Sequence, residues 1–368
     1  MKDMIYVTQP YLPELEDFIP YLEEIWKNKI LTNGGPLHQK LEKELEIYLD
    51  VPYVTLFNNG TSALITAIQA LNLNKGQVIT TPYSFVATAH SILWNNLEPV
   101  FVDIENDSPN IDVSKIEASI TKDTVAILAV HCYGIPCDIE GIDVLAKKYN
   151  LKVIYDAAHA FGVNVNNKSI LGFGDLSVVS FHATKVFNTF EGGAIICDTK
   201  EMKERLVQLK NFGIINEVNI DEVASNGKLS EIHAAMGLLQ LKSFSDILFA
   251  RKKIDDFYRN SILGKINGIQ CIDRSEVSQD NYSYFPVIVT SEYPLTRDEL
   301  YEKLKSSGFL ARKYFYPLIS DFNVYNKYRT STPHASKLAD SVLCLPFYPN
   351  LSLDICQQII DVIGNVYE

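Results

Sequence analysis

The sequence lacks the features that would place the chain in a membrane, in a disulfide-stapled fold or on nucleic acid. No apolar run approaches the roughly 20 residues of a membrane-spanning helix, and the amino terminus has no apolar signal-peptide core. The six cysteines are scattered through 368 residues, which favours buried free thiols in a cytoplasmic protein. Cationic residues are few: 33 Lys and Arg against 45 Asp and Glu give a net charge of −12, which disfavours a nucleic-acid partner.

Several common site motifs are also absent. Neither the dinucleotide fingerprint GxGxxG nor the phosphate-binding loop GxxxxGK[ST] occurs. The seven histidines form no HExxH motif and no paired Cys/His spacing, so no metal site is expected. The hydrolase motif GxSxG is missing as well. The sequence therefore gives no support to a dinucleotide site, a phosphate-binding loop, a metal site or a hydrolase nucleophile of these types.

Short apolar segments alternate with helical patterns between residues 51 and 198. Most of the apolar segments carry almost no polar residue, which is typical of strands in a sheet covered on both faces. The predicted strands are 53–57, 78–81, 100–104, 124–130, 152–156, 176–181 and 194–197, and the predicted helices are 61–71, 85–95, 113–118 and 139–149. This alternation predicts an α/β fold with a mostly parallel sheet.

The pattern changes after about residue 244. A long charged helix near 246–260 is followed by strand-like segments at 282–289 and 311–315 and by helices at 296–307 and 352–366. We therefore predict two units: an N-terminal segment with a large domain over residues 1–245, and a smaller α+β domain over residues 246–368. The first twenty residues, rich in proline and aromatics, are expected to drape over one of these units.

Four polar segments each follow a predicted strand, and the first two suit a flat anionic ligand. Asn-Asn-Gly60-Thr61-Ser62 places free N–H groups and hydroxyls at a helix start, as a phosphate site requires. A plain helix cap on Thr61 or Ser62 would have the same composition. The second segment puts Phe85 at the entry of another helix, where its ring can stack on a cofactor or pack in a core.

The third and fourth segments carry the ionisable groups. Asp156 ends an apolar strand at the sheet edge where open α/β sheets bind ligands. Buried there, its carboxylate needs a partner such as a protonated ring nitrogen; otherwise it caps the next helix. The fourth segment runs from Ser180 through Lys185 to Glu-Gly-Gly. In an apolar cleft the pKa of a lysine falls and its neutral amine can form a Schiff base with an aldehyde; a solvated loop lysine is the alternative.

Together the four segments supply a phosphate cradle, a stacking aromatic, an acid for a pyridine nitrogen and an amine for an aldehyde, which suit pyridoxal phosphate. The chain resembles the DegT/DnrJ/EryC1/StrS family of nucleotide-sugar aminotransferases, a branch of the fold-type I pyridoxal-phosphate enzymes. Ser-Phe-His-x-Thr-Lys…Glu-Gly-Gly-Ala and Asp-Ala-Ala-x-Ala carry the resemblance, which runs nearly end to end. It implies an aspartate-aminotransferase-like large domain with a mostly parallel seven-stranded sheet, and a smaller α+β C-terminal domain.

The resemblance also implies roles for individual residues around the cofactor ring. Lys185 would bind the aldehyde and Asp156 the pyridine nitrogen, so that these two form the catalytic pair. Phe85 would stack on the ring. His159 stands where the family usually has Gln; its imidazole can still bond the phenolic oxygen of the cofactor, but a positive charge there would alter the electronics of the ring.

Further residues are implied at the cofactor phosphate and at the substrate. Asn226 and Lys228 match a segment that reaches the phosphate from the neighbouring subunit, which implies a homodimer with shared active sites. Arg312, Lys313 and Tyr314 match a substrate-facing segment, in which the cations would meet the diphosphate of a nucleotide. Within the same chain, the implied phosphate ligands are Gly60, Thr61, Ser62 and Ser180.

The implied reaction transfers an amino group from L-glutamate to a keto carbon of a nucleotide-linked 6-deoxy sugar. Within the family, the sequence pattern most resembles that of enzymes that convert dTDP-4-keto-6-deoxy-D-glucose to dTDP-4-amino-4,6-dideoxy-D-glucose. This product would serve O-antigen or other surface glycan synthesis. Amination at carbon 3 and a GDP- or UDP-linked substrate stay open. A sugar dehydratase is disfavoured because such relatives replace the lysine at position 185 with histidine. A non-catalytic pyridoxal-phosphate-binding regulator is disfavoured by the same lysine and by the acidic composition.

Overall fold

The computed structural model describes residues 4–275 and 277–366. In chain order its strands are β1 (Ile5–Tyr6), β2 (Tyr53–Phe57), β3 (Gln77–Thr80), β4 (Glu98–Phe101), β5 (Thr124–Val130), β6 (Lys152–Asp156), β7 (Asn164–Val165), β8 (Lys168–Ser169), β9 (Leu176–Ser180), β10 (Gly193–Cys197), β11 (Ile214–Asn216), β12 (Asn219–Ile220), β13 (Ile269–Cys271), β14 (Phe285–Val289), β15 (Phe309–Leu310) and β16 (Val342–Leu345).

The α-helices lie between and around these strands. They are α1 (Leu15–Asn28), α2 (Pro36–Leu49), α3 (Gly60–Ala70), α4 (Val86–Trp94), α5 (Val113–Ser119), α6 (Ile139–Tyr149), α7 (Lys200–Leu209), α8 (Glu231–Lys242), α9 (Phe244–Ile262), α10 (Arg297–Ser306), α11 (Pro333–Ser341) and α12 (Leu353–Gly364). Short 3₁₀ turns occur at Cys132–Gly134, Ile170–Gly172, Ile319–Asp321 and Asn323–Tyr328.

Seven strands form the central sheet, in the order β2-β10-β9-β6-β5-β3-β4. Only β10 runs antiparallel to its neighbours, and the remaining pairs are parallel. The prediction of a mostly parallel seven-stranded α/β sheet is confirmed. Apolar strands such as β5 are buried almost throughout because helices cover both faces of the sheet. Such strands are continuous apolar runs, which is why they could be predicted from the sequence.

A second, three-stranded antiparallel sheet (β13-β14-β16) forms the core of a smaller C-terminal unit with α9, α10 and α12. Helix α9 connects the two cores: Phe244 packs in the core of the large unit and Tyr258 in that of the small one. The division at 245/246 stays a prediction, although it falls at the start of this helix. Strand β1 pairs with β15, so the start of the described chain is attached to the small unit.

The predicted strand over 311–315 is wrong. Strand β15 ends at residue 310, and Arg312 makes only an isolated antiparallel bridge with Cys344. The carbonyl of Tyr314 accepts hydrogen bonds from the hydroxyls of Tyr83 and Tyr133 instead of from a neighbouring strand. This segment is therefore fixed against the large unit by side chains, and it lies at the edge of a cavity.

Among the described residues, no helix combines the length and the hydropathy needed to cross a bilayer.

Candidate active site

The carboxyl ends of five central strands surround one cavity of about 280 Å³. Its walls come from the loops after β2, β3, β5, β6 and β9, together with residues of the small unit. Parallel strands that end at one sheet edge place their following loops side by side, which is why residues far apart in sequence meet here. The predicted site residues that line the cavity are Gly60, Thr61, Phe85, Asp156, His159, Ser180, Lys185, Arg312 and Tyr314.

Two further predicted residues lie outside the cavity lining. The Ser62 hydroxyl donates to the Asn58 side-chain oxygen and to the backbone of the same turn. The ammonium of Lys313 lies 2.6 Å from the carboxylate of Asp298 and over an aromatic ring of α10. Both side chains therefore have intrachain partners that hold them away from the cavity.

Asn226 and Lys228 also lie outside the cavity of their own chain. They follow the exposed hairpin of β11 and β12, and the Lys228 ammonium donates to the side-chain oxygen of Asn211 at 2.8 Å. The same ammonium lies 4.6 Å from the centroid of the exposed Phe212 ring. Within one chain these residues form a surface cluster.

The turn before α3 forms a cradle that fits a phosphate. Asn59 is the helix cap, since its side-chain oxygen accepts the N–H of Ser62 at 2.8 Å; the alternative that Thr61 or Ser62 caps the helix is wrong. A Cβ added to Gly60 would lie 3.1 Å from the Cβ of Ser180, so the missing side chain at residue 60 lets the two loops approach closely. The positive end of α3 and the Ser180 hydroxyl thus face one small space.

Asp156 is buried in the wall of the cavity, and the half-buried Lys185 also lines it. Burial lowers the pKa of Lys185 to about 8, and the negative charge of Asp156 opposes this shift. Burial raises the pKa of Asp156, and hydrogen bonds from Thr88 and from the Ala158 N–H, with the charge of Lys185, oppose that shift. The site therefore holds an amine that is partly neutral near neutral pH and a carboxylate that lacks a full set of donors.

His159 is a neutral ring with a defined tautomer. The Tyr133 N–H donates to Nδ1 of His159 at 3.1 Å, so the ring proton must sit on Nε2. Burial, with a smaller contribution from the charge of Lys185, lowers the pKa of His159 well below its ordinary value. The expected disturbance by a charged imidazole is therefore absent, and His159 can donate from Nε2 as an amide N–H would.

Phe85 presents a large ring at the mouth of the cavity. It precedes α4 and is 59% exposed, whereas most aromatic rings around the site are buried. An exposed ring at the mouth of a cavity offers a face for a flat ligand. Cradle, ring, carboxylate and amine lie in one cavity, so the residues present fit pyridoxal phosphate.

Several residues of this site were not predicted from the sequence. Tyr284 and Phe315 line the cavity from the small unit, and the Lys185 ammonium lies 5.9 Å from the centroid of the Tyr284 ring. Ser84 lines it from the β3 loop, and Thr88 lies behind it in α4. A sequence signal existed only for the last pair, as two hydroxyl residues four positions apart at a helix start.

Comparison with known proteins gives a consistent result. The model of the DegT/DnrJ/EryC1/StrS aminotransferase family matches residues 14–364. The chain is 56% identical over 368 residues to the dTDP-4-amino-4,6-dideoxy-D-glucose transaminase of Shigella dysenteriae, with 100% of both chains covered. It is 51% identical over 364 residues to the enzyme of the same name from Escherichia coli, with 96% of both covered.

Among solved structures, DesI in the presence of its TDP-sugar product superposes with a TM-score of 0.93 at 30% identity, covering 99% of this chain and 93% of DesI. The structural neighbours share the fold-type I architecture predicted from the sequence.

Proposed function

The chain belongs to the DegT/DnrJ/EryC1/StrS aminotransferase family, and we propose that it transfers an amino group to carbon 4 of dTDP-4-keto-6-deoxy-D-glucose. The product would be dTDP-4-amino-4,6-dideoxy-D-glucose. The observation that carries this proposal is the Lys185 amine with its lowered pKa, which shares one cavity with Asp156 and the phosphate cradle. The names of the two relatives, matched over almost their whole length, support the nucleotide and the carbon.

Pyridoxal phosphate is the cofactor of this family, as predicted from the four segments. When bound, it supplies an aldehyde for the amine and a protonated ring that withdraws electrons from the reacting carbon. We assign its phosphate to Gly60, Thr61 and Ser180. Phe85 would cover one face of the ring, and the neutral His159 would donate to the phenolic oxygen from Nε2.

Lys185 would transfer protons, and Asp156 would keep the ring nitrogen of the cofactor protonated. Asp156 would hold the ring nitrogen in its protonated form, because a buried carboxylate is stabilised by an adjacent positive charge. Lys185 would take a proton at Nζ from the α-carbon of the amino donor, which we propose is L-glutamate, and deliver one to carbon 4 of the sugar. A pKa of about 8 suits this exchange, since both forms of the amine are populated near neutral pH.

The sugar nucleotide would enter from the side of Arg312 and Tyr314. The backbone of Arg312 is held by two hydrogen bonds to Cys344, and its guanidinium lies 5.1 Å from the Tyr314 ring centroid. In the described part of the chain the Arg312 side chain has no ion-pair partner, so its charge is available to a diphosphate. Lys313, paired with Asp298, would have to leave that partner to contribute.

We further propose a homodimer whose active sites are shared. The hairpin of β11 and β12 exposes Ile215, Val218 and Ile220, an unusual amount of apolar surface for so short an element. A second copy of the chain would cover this hairpin. It would bring Asn226 and Lys228 to the partner's phosphate cradle, as the resemblance implies.

Subunit mixing tests this arrangement. A Lys185→Ala chain and an Asn226→Ala/Lys228→Ala chain should each be nearly inactive alone, whereas their heterodimer contains one intact site. We expect mixing of equal amounts to restore about a quarter of the wild-type rate, because about half of the dimers formed at random are heterodimers. Native mass spectrometry would verify subunit exchange. Exchange without any recovery of activity would show that each site is built from one chain.

The substrate assignment is tested with a panel of sugars. Purified protein loaded with pyridoxal phosphate should form the 4-amino sugar from L-glutamate and dTDP-4-keto-6-deoxy-D-glucose, detected by mass spectrometry and NMR. The 3-keto isomer and GDP- or UDP-linked 4-keto sugars should react at least about tenfold more slowly, as expected when buried polar contacts go unmade. A 3-amino product would contradict the choice of carbon, and the absence of any amino sugar would contradict the proposed reaction.

An amino sugar activated on a nucleotide suits the assembly of O-antigen or another surface glycan, and we propose this role. We place the enzyme in the cytoplasm, where the six cysteines, all free in the structure, would stay reduced. Composition analysis of surface glycans from a strain lacking the gene would show the amino sugar missing.

A further inference from the structure

Two hydroxyl groups behind the cavity wall form a chain that ends on Asp156. The Ser84 Oγ lies 2.7 Å from the Thr88 Oγ1, and the Thr88 Oγ1 lies 2.7 Å from Oδ2 of Asp156. Thr88 is fully buried in the first turn of α4, and Ser84 is buried at the cavity wall. The other oxygen of Asp156, Oδ1, accepts the Ala158 N–H at 3.2 Å.

The direction of this chain follows from the ionisation of its end. An ionised carboxylate only accepts hydrogen bonds, so the Thr88 hydroxyl must donate to it. The Thr88 oxygen then accepts a hydrogen bond from the Ser84 hydroxyl. The two hydroxyls thus donate in the same direction along the chain, toward Oδ2, and each hydrogen bond strengthens the other in a buried environment.

We propose that Thr88 and Ser84 are positioning residues that hold the Asp156 carboxylate ionised and oriented for the ring nitrogen of the cofactor. This inference rests on the role proposed above for Asp156. Without the Thr88 hydroxyl the carboxylate would keep one donor, and the proton that it shares with the ring nitrogen would move toward the carboxyl. The ring would then become neutral and withdraw electrons less strongly.

The other titratable groups around Asp156 do not obscure the effect of Thr88 on the pKa of Asp156. Burial lowers the pKa of His131 to about 3 and that of His159 well below its ordinary value, so both stay neutral. Burial raises the pKa of Cys132 far above neutrality. Lys185 is the remaining charged group that acts on Asp156, and it is the same in every variant below.

The test is cofactor binding to the apoprotein as a function of pH, measured by equilibrium dialysis with pyridoxal phosphate. Binding should weaken as the pH falls and Asp156 becomes protonated. In Thr88→Val this acid limb should move about one unit toward higher pH, because a hydrogen bond to a charged group is lost. Ser84→Ala should move it in the same direction by less, and Thr88→Ser, which keeps a hydroxyl, should restore it.

Turnover provides the second readout. Thr88→Val should lower kcat about tenfold, with little change in the KM for the sugar, since Thr88 does not line the substrate space. Ser91→Ala is the matched control: Ser91 is a buried hydroxyl of the same helix that donates to the Thr88 carbonyl at 2.8 Å and does not touch Asp156. It should leave the acid limb in place.

A cofactor analogue with carbon in place of the ring nitrogen separates positioning from general destabilisation. Its binding should not distinguish Thr88→Val from wild type. The proposed role of Thr88 and Ser84 would be overturned by one result. This result is that the acid limb of cofactor binding stays unchanged in both Thr88→Val and Ser84→Ala but changes in Asp156→Asn. If Asp156→Asn itself binds and turns over normally, the role of Asp156 fails instead. Should Thr88→Val not fold, Ser84→Ala and Thr88→Ser decide the matter.

Discussion

Replacing Lys185 with Ala is expected to lower kcat by about 10⁴-fold, with no detectable amino sugar in a standard assay. In the proposed mechanism this variant loses the amine that would bind the cofactor aldehyde and would move protons at the reacting carbons. The phosphate cradle and the ring contacts do not involve the Lys185 side chain, so the variant should still bind the cofactor, more weakly and without a covalent bond.

Borohydride treatment of the wild-type holoenzyme, followed by digestion and mass spectrometry, should find the cofactor attached to Lys185. Lys210 is an internal control: it is a buried lysine that pairs with Glu42 outside the cavity, and it should stay unlabelled. Because burial lowers the pKa of Lys185 to about 8, capture of the cofactor by the apoprotein should accelerate as the pH rises through about 8. Attachment to another lysine would refute the assignment.

Asp156→Asn should retain the cofactor and lose about 150-fold to about 5,000-fold in kcat. Breaking a buried charge pair costs about 3–5 kcal/mol, and each 1.36 kcal/mol corresponds to a factor of ten. An amide has no negative charge to hold the ring nitrogen protonated, whereas the cradle still holds the phosphate. The absorbance spectrum of the bound cofactor should change with that protonation.

Asp103→Asn is the matched control for this prediction. Asp103 is likewise a buried aspartate, but it pairs with Lys115 and accepts the backbone N–H groups of His334 and Ala335, away from the cavity. Its replacement should lower the melting temperature and leave the kcat of folded protein within about threefold. A near-normal kcat in Asp156→Asn would mean that another group protonates the ring.

The central sheet and the ends of its strands were predictable from sequence. Fully buried parallel strands are continuous apolar runs, so β5 and β6 were predicted with their observed bounds. The residues that follow such strands must lie at one sheet edge, which brought Lys185, Asp156 and Phe85 into one proposed site. The helices α1, α2, α7, α8 and α11 were not predicted, and the strand predicted over 311–315 does not form.

The sequence by itself determined where the amine, the carboxylate and the phosphate cradle stand along the chain, because each follows a strand of the central sheet, whereas Tyr284 and Phe315 from the small unit were not predicted. The tertiary structure decided which partners these groups have. It determined the Nε2 tautomer of His159, the capping of α3 by Asn59, the ion pair of Lys313 with Asp298, and the hydroxyl chain from Ser84 to Asp156. Most of these depend on partners from other elements, such as Tyr133 for His159 and Asp156 for Thr88, 68 positions apart. Local patterns encode burial and turns, whereas a hydrogen-bond partner across the fold is set by packing alone.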